Sequence, residues 1–367
     1  MKRTLLNTIL LCFILCTSCS NNEDFFENEI TAETEEEEIS EDEDEVTEEE
    51  QNEEEEEDTE ETLDYTTVVE EYGQLSVSGS KIIDQDNNEI QLRGMSLFWS
   101  QWMGQFYTSG TVNWLQSDWN ATIVRASMGV EDSDGYLSNP DTEKAKVFTV
   151  IDAAIEAGIY VIVDWHSHYA EQNLEEAKAF FAEVAQKYGD YPNIIYETYN
   201  EPLDVSWVDV LKPYHESVIA TIRQYDSNNI IVCGTRTWSQ RVDEVVGNEI
   251  DDDNVAYTLH YYSSTHKEEL RNYASTAINN NIAIFVTEFG VTEASGGGSI
   301  DVDSANTWWS FLDENKISWC NWSIADKDES SAALTPGASG DGNWNESELT
   351  TSGSMVRTEM LAKNPTY

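Results

Sequence analysis

The sequence predicts an α/β chain whose main domain is a closed (β/α)8 TIM barrel, preceded by a small N-terminal β-hairpin. Three observations carry that prediction. From about Gln74 onward, short apolar runs alternate eight times with amphipathic segments, and strands separated by helices pair in parallel through right-handed crossovers. The alternation fills about 290 residues, which suits one closed barrel better than an open doubly wound sheet. No G-x-G-x-x-G follows the first strand and no G-K-[ST] occurs, so the phosphate-cradling loops of nucleotide-binding sheets are missing.

Domain organisation follows from charge. The 367 residues have a formal net charge of -53, and between Glu23 and Asp64 there are 26 acidic residues with no Lys or Arg. Such a segment repels itself and has little to bury, so residues 20–64 are expected to be a disordered, extended acidic linker. Residues 65–367 form the expected catalytic barrel. They still hold 46 acidic against 17 basic residues, which argues against nucleic acid as a partner.

The chain opens with MKRTLLNTILLCFILCTSCSNNED. Lys2 and Arg3 precede an apolar run too short to span a bilayer as a mature helix, the pattern of an export leader. Thr17, Ser18 and Cys19 resemble a bacterial lipoprotein cleavage site, which makes residues 1–19 the signal region and Cys19 the lipidated residue. Cys16 departs from that pattern, standing three places earlier where Leu is usual. The acidic run after Cys19 is similar to the export signals of Bacteroidetes surface lipoproteins. The expected location is therefore the cell surface or the extracellular space, with an outer-membrane lipid anchor as the membrane contact.

The hairpin is read from LSVSGSKIIDQDNNEIQLRG, with Asp86-Asn87-Asn88 as its turn. The D-x-D-x-N spacing there lacks the Gly and distal Glu of a calcium loop and reads as a turn. The eight barrel strands are QLRGMSLF, ATIVRAS, YVIVDWH, NIIYETYNEP, NIIVCGT, VAYTLHYY, AIFVTEFG and ISWCNWS. Helices are expected in TEKAKVFTVIDAAIEAG, LEEAKAFFAEVAQKYG, WVDVLKPYHESVIATIRQYD and HKEELRNYASTAINN. Cys233 and Cys320 lie inside apolar runs and are expected as buried free thiols.

A barrel of this kind presents its site at the C-terminal ends of the strands. Those ends carry Arg125, Asp164-Trp165-His166, Asn200-Glu201, His260, Tyr262, Glu288 and Trp322, with Trp238 in the following loop. Glu201 and Glu288 end the fourth and seventh strands and should converge on one cleft. Two carboxyl groups across a cleft are what glycosidic cleavage requires, one protonating the leaving oxygen and one attacking the anomeric carbon. The 12 Trp residues suit pyranose rings, which offer an apolar face and a rim of hydroxyls. Asp164 is expected to orient its neighbours. His166 and His168 do not read as a zinc pair, because alternate strand residues diverge and no third ligand is suitably spaced. His215, Trp308 and Trp309 are read as structural.

Together YNEP, TEFG, DWH, LHYY, GTRTWSQ and NWSIADKDESSAAL resemble glycoside hydrolase family 5, in particular its bacterial endo-β-1,4-glucanase subfamily. The likeness runs from about Tyr72 to Lys363. It implies a retaining double displacement with Glu201 as general acid/base and Glu288 as nucleophile. It also implies that Asn200 binds the sugar 2-hydroxyl, that Arg125 and Tyr262 contact the nucleophile, and that His260 lies near the acid/base. His166 would bond sugar hydroxyls, Trp322, Trp102 and Trp238 would stack on glucose rings, and Lys327 and Glu329 would bond hydroxyls on the glycone side. Phe98 departs from the subfamily, which carries His there. No metal or organic cofactor is implied; the expected partner is a β-glucan polysaccharide and the expected state a monomer. A mannanase or xyloglucanase on the same barrel, or a non-catalytic glycan-binding lipoprotein, are the alternatives.

Overall fold

The computed structural model describes residues 66–367; the leader with Cys19 and the acidic segment up to residue 64 lie outside the described residues. Helix α1 (Val68–Tyr72) leads into an antiparallel pair, β1 (Ser76–Ser78) and β2 (Lys81–Ile83). The hairpin turn falls at Gly79-Ser80, earlier than the sequence reading placed it: Ser78 pairs with Lys81. The Asp86–Asn88 turn contributes a single bridge, Ile83 to Glu89. Its geometry belongs to Asp84, whose carboxylate accepts the N–H groups of Asp86 (2.9 Å) and Asn88 (2.8 Å) and closes the chain on itself.

Eight parallel strands then close into a barrel: β3 (Arg93–Leu97), β4 (Ile123–Gly129), β5 (Tyr160–His166), β6 (Ile194–Glu197), β7 (Ile231–Cys233), β8 (Val255–Tyr262), β9 (Ile284–Gly290) and β10 (Trp319–Ile324), which pairs back onto β3. Around them run α2 (Ser109–Trp119), α3 (Pro140–Glu156), α4 (Leu174–Tyr188), α5 (Lys212–Ile222), the single turn α6 (Arg236–Ser239), α7 (Glu268–Ile278), α8 (Val302–Glu314) and α9 (Thr351–Lys363). The strands are buried on both faces, as β-branched runs sandwiched between a packed lumen and a helical ring must be. Helix α4 shows the complementary rule: Ala177, Phe180, Phe181, Val184, Ala185 and Tyr188 follow a 3.6-residue period and form its buried stripe.

The segment from Trp207 is not one uniform helix. Pro213 has no N–H to donate, and the chain opens into a wider i→i+5 turn over Trp207–Leu211 before α5 begins. Cys233 and Cys320 are buried and unpaired, and Trp308 and Trp309 pack into the core. His215 on α5 is a satisfied core residue. Its ring bonds Thr198 Oγ1 (2.8 Å) and the Gly234 carbonyl (3.0 Å), tying the helix to the ends of β6 and β7.

Candidate active site

Arg125 organises the floor of the barrel mouth. Its side chain is wholly buried, and its guanidinium is held by carboxylates from three other strands: Nε to Glu197 Oε2 (2.7 Å), Nη2 to Asp164 Oδ2 (2.9 Å) and Nη1 to Glu288 Oε2 (3.2 Å). Nη2 also donates to Asn200 Oδ1 at 2.6 Å. Burying a guanidinium is tolerable only with this degree of pairing, and its planar fork fixes the directions of its partners.

Glu288 receives a second donor on its other oxygen, the Tyr262 hydroxyl at 2.8 Å. Gly290 makes that contact possible, since a Cβ there would lie 2.4 Å from the Tyr262 ring. Burial and then the neighbouring Glu201 push the Glu288 carboxyl up; His260, Arg125 and Tyr262 pull against them.

Glu201 stands in the loop after β6, opposite Glu288. Gly234 lets that loop approach, because a Cβ at 234 would lie 2.1 Å from the Tyr199 carbonyl oxygen and 3.0 Å from Pro202. Each Glu201 oxygen meets an imidazole: Oε1 with His260 Nδ1 at 3.0 Å, Oε2 with His168 Nε2 at 3.1 Å. A register irregularity between Thr258 and His260 sets His260 opposite Glu288 in the ladder. Burial alone would raise the Glu201 carboxyl, but the hydrogen bonds from His168 and His260 overcome it and hold it down to about 2. His260 moves the other way, up to about 9: burial opposes the shift, and the carboxylates of Glu197, 3.8 Å from Nε2, and of Glu201, bonded to Nδ1, drive it. Ligand atoms of Glu201, His260 and Glu288 lie within 4.8 Å of one another, the one such grouping among the described residues. Both Glu288 oxygens there already have donors, a set built for proton chemistry more than for a metal ion.

Glu201 and Glu288 sit where two lobes of a cleft meet. One lobe, about 440 Å³, is lined by Trp238, Gln240, His266 and His260; the other, about 350 Å³, by Phe98, Trp99, His166, Trp322, Lys327 and Glu329. His168, Glu201, Tyr262 and Glu288 line both. Residues 83–328 match the family model described as Cellulase (glycosyl hydrolase family 5). The chain belongs to glycosyl hydrolase family 5.

Relatives of this family-5 chain include endoglucanase Z of Dickeya dadantii, 48% identical over 77% of this chain and 65% of the relative. Endoglucanase A of Evansella cellulosilytica is 48% identical over 73% of this chain and 56% of the relative. The chain thus spans less than two thirds of the length of those two curated relatives. Among solved structures, one from Cytophaga hutchinsonii superposes with a TM-score of 0.80 at 56% identity, covering 81% of this chain and 97% of the other. The catalytic domain of a Thermobifida fusca endoglucanase, solved in complex with cellotetraose, gives 0.77 at 36% identity, over 80% and 99%.

The aromatic residues of the family-5 cleft differ in posture. Trp238 is 48% exposed, whereas Trp322 is 5% exposed and stacks flat on His166 (5.2 Å, 2°); Trp102, 49% exposed, lines neither lobe and packs 5.0 Å from Trp99, which lines one. Trp238 stands on a left-handed turn, with positive φ at Thr237, Trp238 and Ser239. The turn is stitched to the Glu201 loop by Trp238 N–H to the Pro202 carbonyl (2.8 Å) and Ser239 Oγ to the Asn200 carbonyl (2.7 Å). Lys327 pairs with Glu329 and places its ammonium 4.6 Å from the Phe98 ring centre, so it is held from both sides. Asp164 forms an ion pair with Arg125 and bonds His166 Nδ1 at 2.6 Å, contacts that fit the orienting role expected of it.

Three neighbours of the pair escaped the sequence reading. His168 was considered only as a metal ligand on a continuing strand, but β5 ends at His166, and beyond it the alternation that separated the two rings no longer applies. Glu197 is the last residue of β6 and Thr287 lies inside β9. The signal that could have found Glu197 is a carboxylate in the otherwise uncharged strand IIYE.

Proposed function

We propose that this protein is a retaining endo-β-1,4-glucanase, cleaving internal bonds of cellulose or related β-glucans with Glu201 as general acid/base and Glu288 as nucleophile. The observation that carries the reading is the position of the two carboxylates at the junction of two open lobes, so that a chain can lie across the pair with sugars on both sides. Their closest oxygens are within 4.8 Å, near the roughly 5 Å separation of retaining pairs and short of the larger gap that an inverting water needs. Glu288 has Arg125 and Tyr262 to stabilise it as an anion aimed at the anomeric carbon. Glu201, held down to about 2, does not keep a proton alone; the proton resides in the His260–Glu201 hydrogen bond and passes to the leaving oxygen through Glu201. In the second half, Glu201 takes a proton from the attacking water. Asn200, held by Arg125, would meet the 2-hydroxyl, with His166, Trp322, Lys327 and Glu329 on the glycone side and Trp238 on the other.

The deciding experiment measures reducing ends released from hydroxyethyl cellulose, mannan and xyloglucan by wild type, Glu201→Gln and Glu288→Gln. Preference for the cellulose derivative, with a loss of about 10²-fold or more in both variants, is expected. Full activity in either variant refutes the pair, and a preference for mannan or xyloglucan reassigns the substrate.

We further infer that the enzyme acts as a monomer held at the cell surface by lipid on Cys19, supported by Lys2, Arg3, the short apolar run and the small residues before Cys19. In a bacterial host, Cys19→Ala should move the protein from the membrane fraction to the soluble fraction. Unchanged membrane association removes the anchor.

A further inference from the structure

Beneath the cleft a chain of hydrogen bonds runs from Glu197 to Glu201. Arg125 Nε donates to Glu197 Oε2 (2.7 Å), Thr287 Oγ1 lies 2.6 Å from Glu197 Oε1, and His260 Nε2 lies 2.9 Å from Thr287 Oγ1. His260 Nδ1 then meets Glu201 Oε1 at 3.0 Å. Glu197, Thr287 and His260 are each at most 1% exposed, so the contacts from Glu197 through Thr287 to His260 Nε2 are shielded from bulk solvent.

We propose that Thr287 is a positioning residue that, with Glu197 behind it, fixes a hydrogen on His260 Nε2, so that the contact between Nδ1 and Glu201 must hold a second proton, the one used as acid. The inference rests on the assignment of Glu201 as acid/base. Glu197, an ionised partner of Arg125, can only accept, so the Thr287 hydroxyl donates its hydrogen to Glu197. A hydroxyl oriented that way offers a lone pair to His260, and Nε2 must therefore carry a hydrogen. With Nε2–H fixed, one proton lies between Nδ1 and Glu201 Oε1, on either atom. If that proton left, the bare Nδ1 would face the carboxylate lone pair to lone pair, a repulsive arrangement.

Remove the Thr287 hydroxyl and this changes. A neutral imidazole can then move its hydrogen to Nδ1 and donate to ionised Glu201, which stabilises a state that has no proton for the leaving group. Thr287 thus delays loss of the acid proton as pH rises. The other titratable groups facing His260 are Glu201 and Glu288 on the cleft side and the His166 ring; none of them bonds Thr287, whose side-chain partners are His260 and Glu197.

The test compares kcat/KM against pH for wild type, Thr287→Val, Thr287→Ser and Glu201→Gln. Two substrates are used: a cello-oligosaccharide, whose leaving group needs a proton, and 2,4-dinitrophenyl β-cellobioside, whose leaving group does not. In Thr287→Val the alkaline limb on the oligosaccharide should fall by about one unit or more, while the dinitrophenyl substrate keeps its rate within about threefold. Thr287→Ser should restore the wild-type limb. Thr287→Ala makes the same deletion with a smaller side chain should the Val variant not fold. An equal loss on both substrates, or an unmoved limb, overturns the proposal. A Glu201→Gln enzyme fully active on the oligosaccharide instead removes the assignment beneath it, a separate result.

Discussion

Tyr262 and Glu288 meet because Gly290 leaves room for the ring, and the contact has a measurable consequence. The hydroxyl donates to an oxygen of a carboxyl that burial and Glu201 already push up. A hydrogen bond to a charged group contributes about 1.5–3 kcal/mol, equivalent to about one to two pH units. The nucleophile must be ionised, so activity is lost as pH falls through the Glu288 titration. Removing a donor that favours the anion raises that titration further. In Tyr262→Phe the acid limb of kcat/KM on hydroxyethyl cellulose should move to higher pH by about one unit or more. An acid limb that stays in place would show that Arg125 alone governs the carboxylate. The same residue-scale logic bears on Phe98: with Lys327 over its ring, the loop after the first barrel strand contributes a cation–π contact to the cleft wall.

At the scale of elements, the sequence was legible where chemistry and periodicity coincide. The strand runs were recognisable because a doubly buried parallel strand must be almost uniformly apolar, and Glu201 and Glu288 stood out because charge interrupts such runs at their ends. Two kinds of feature were not legible. One is backbone that only neighbouring loops can stabilise: three successive left-handed residues, Thr237 to Ser239, cost roughly 1–2 kcal/mol each. No local propensity announces them, since they are held by bonds to the Glu201 loop. The other is polar residues inside or just beyond strands. Thr287 resembles any β-branched strand residue until its neighbours across the barrel are known. His168 was misplaced because a two-residue period was carried past the end of β5. The hairpin turn is a milder case, where Gly79-Ser80 and Asp86–Asn88 both carry turn chemistry and only pairing selects the first.

For the whole molecule, charge sets the response to salt. Residues 65–367 hold 46 acidic against 17 basic residues, so most carboxylates have no cation available to them. The surface pairs that exist, such as Lys144 with Glu183 (2.8 Å) and Lys267 with Asp301 (2.7 Å), contribute about 0–1 kcal/mol each and weaken with salt. Repulsion among the unpaired carboxylates weakens as well, and over more partners. The screening length falls from about 10 Å at 0.1 M to about 3 Å at 1 M, which removes most of the long-range repulsion while leaving the buried Arg125 cluster nearly untouched. Repulsion therefore dominates, and the melting temperature should rise by a few degrees between about 0.05 and 1 M sodium chloride. Substrate charge supplies an internal control. A neutral glucan feels no field from the protein, so kcat/KM on hydroxyethyl cellulose should hardly change over that range. On anionic carboxymethyl cellulose, which the negative surface repels, it should rise. A melting temperature that falls with salt would mean that the exposed ion pairs outweigh the excess negative charge. A carboxymethyl cellulose response no different from the neutral polymer would mean that the charge does not reach the cleft.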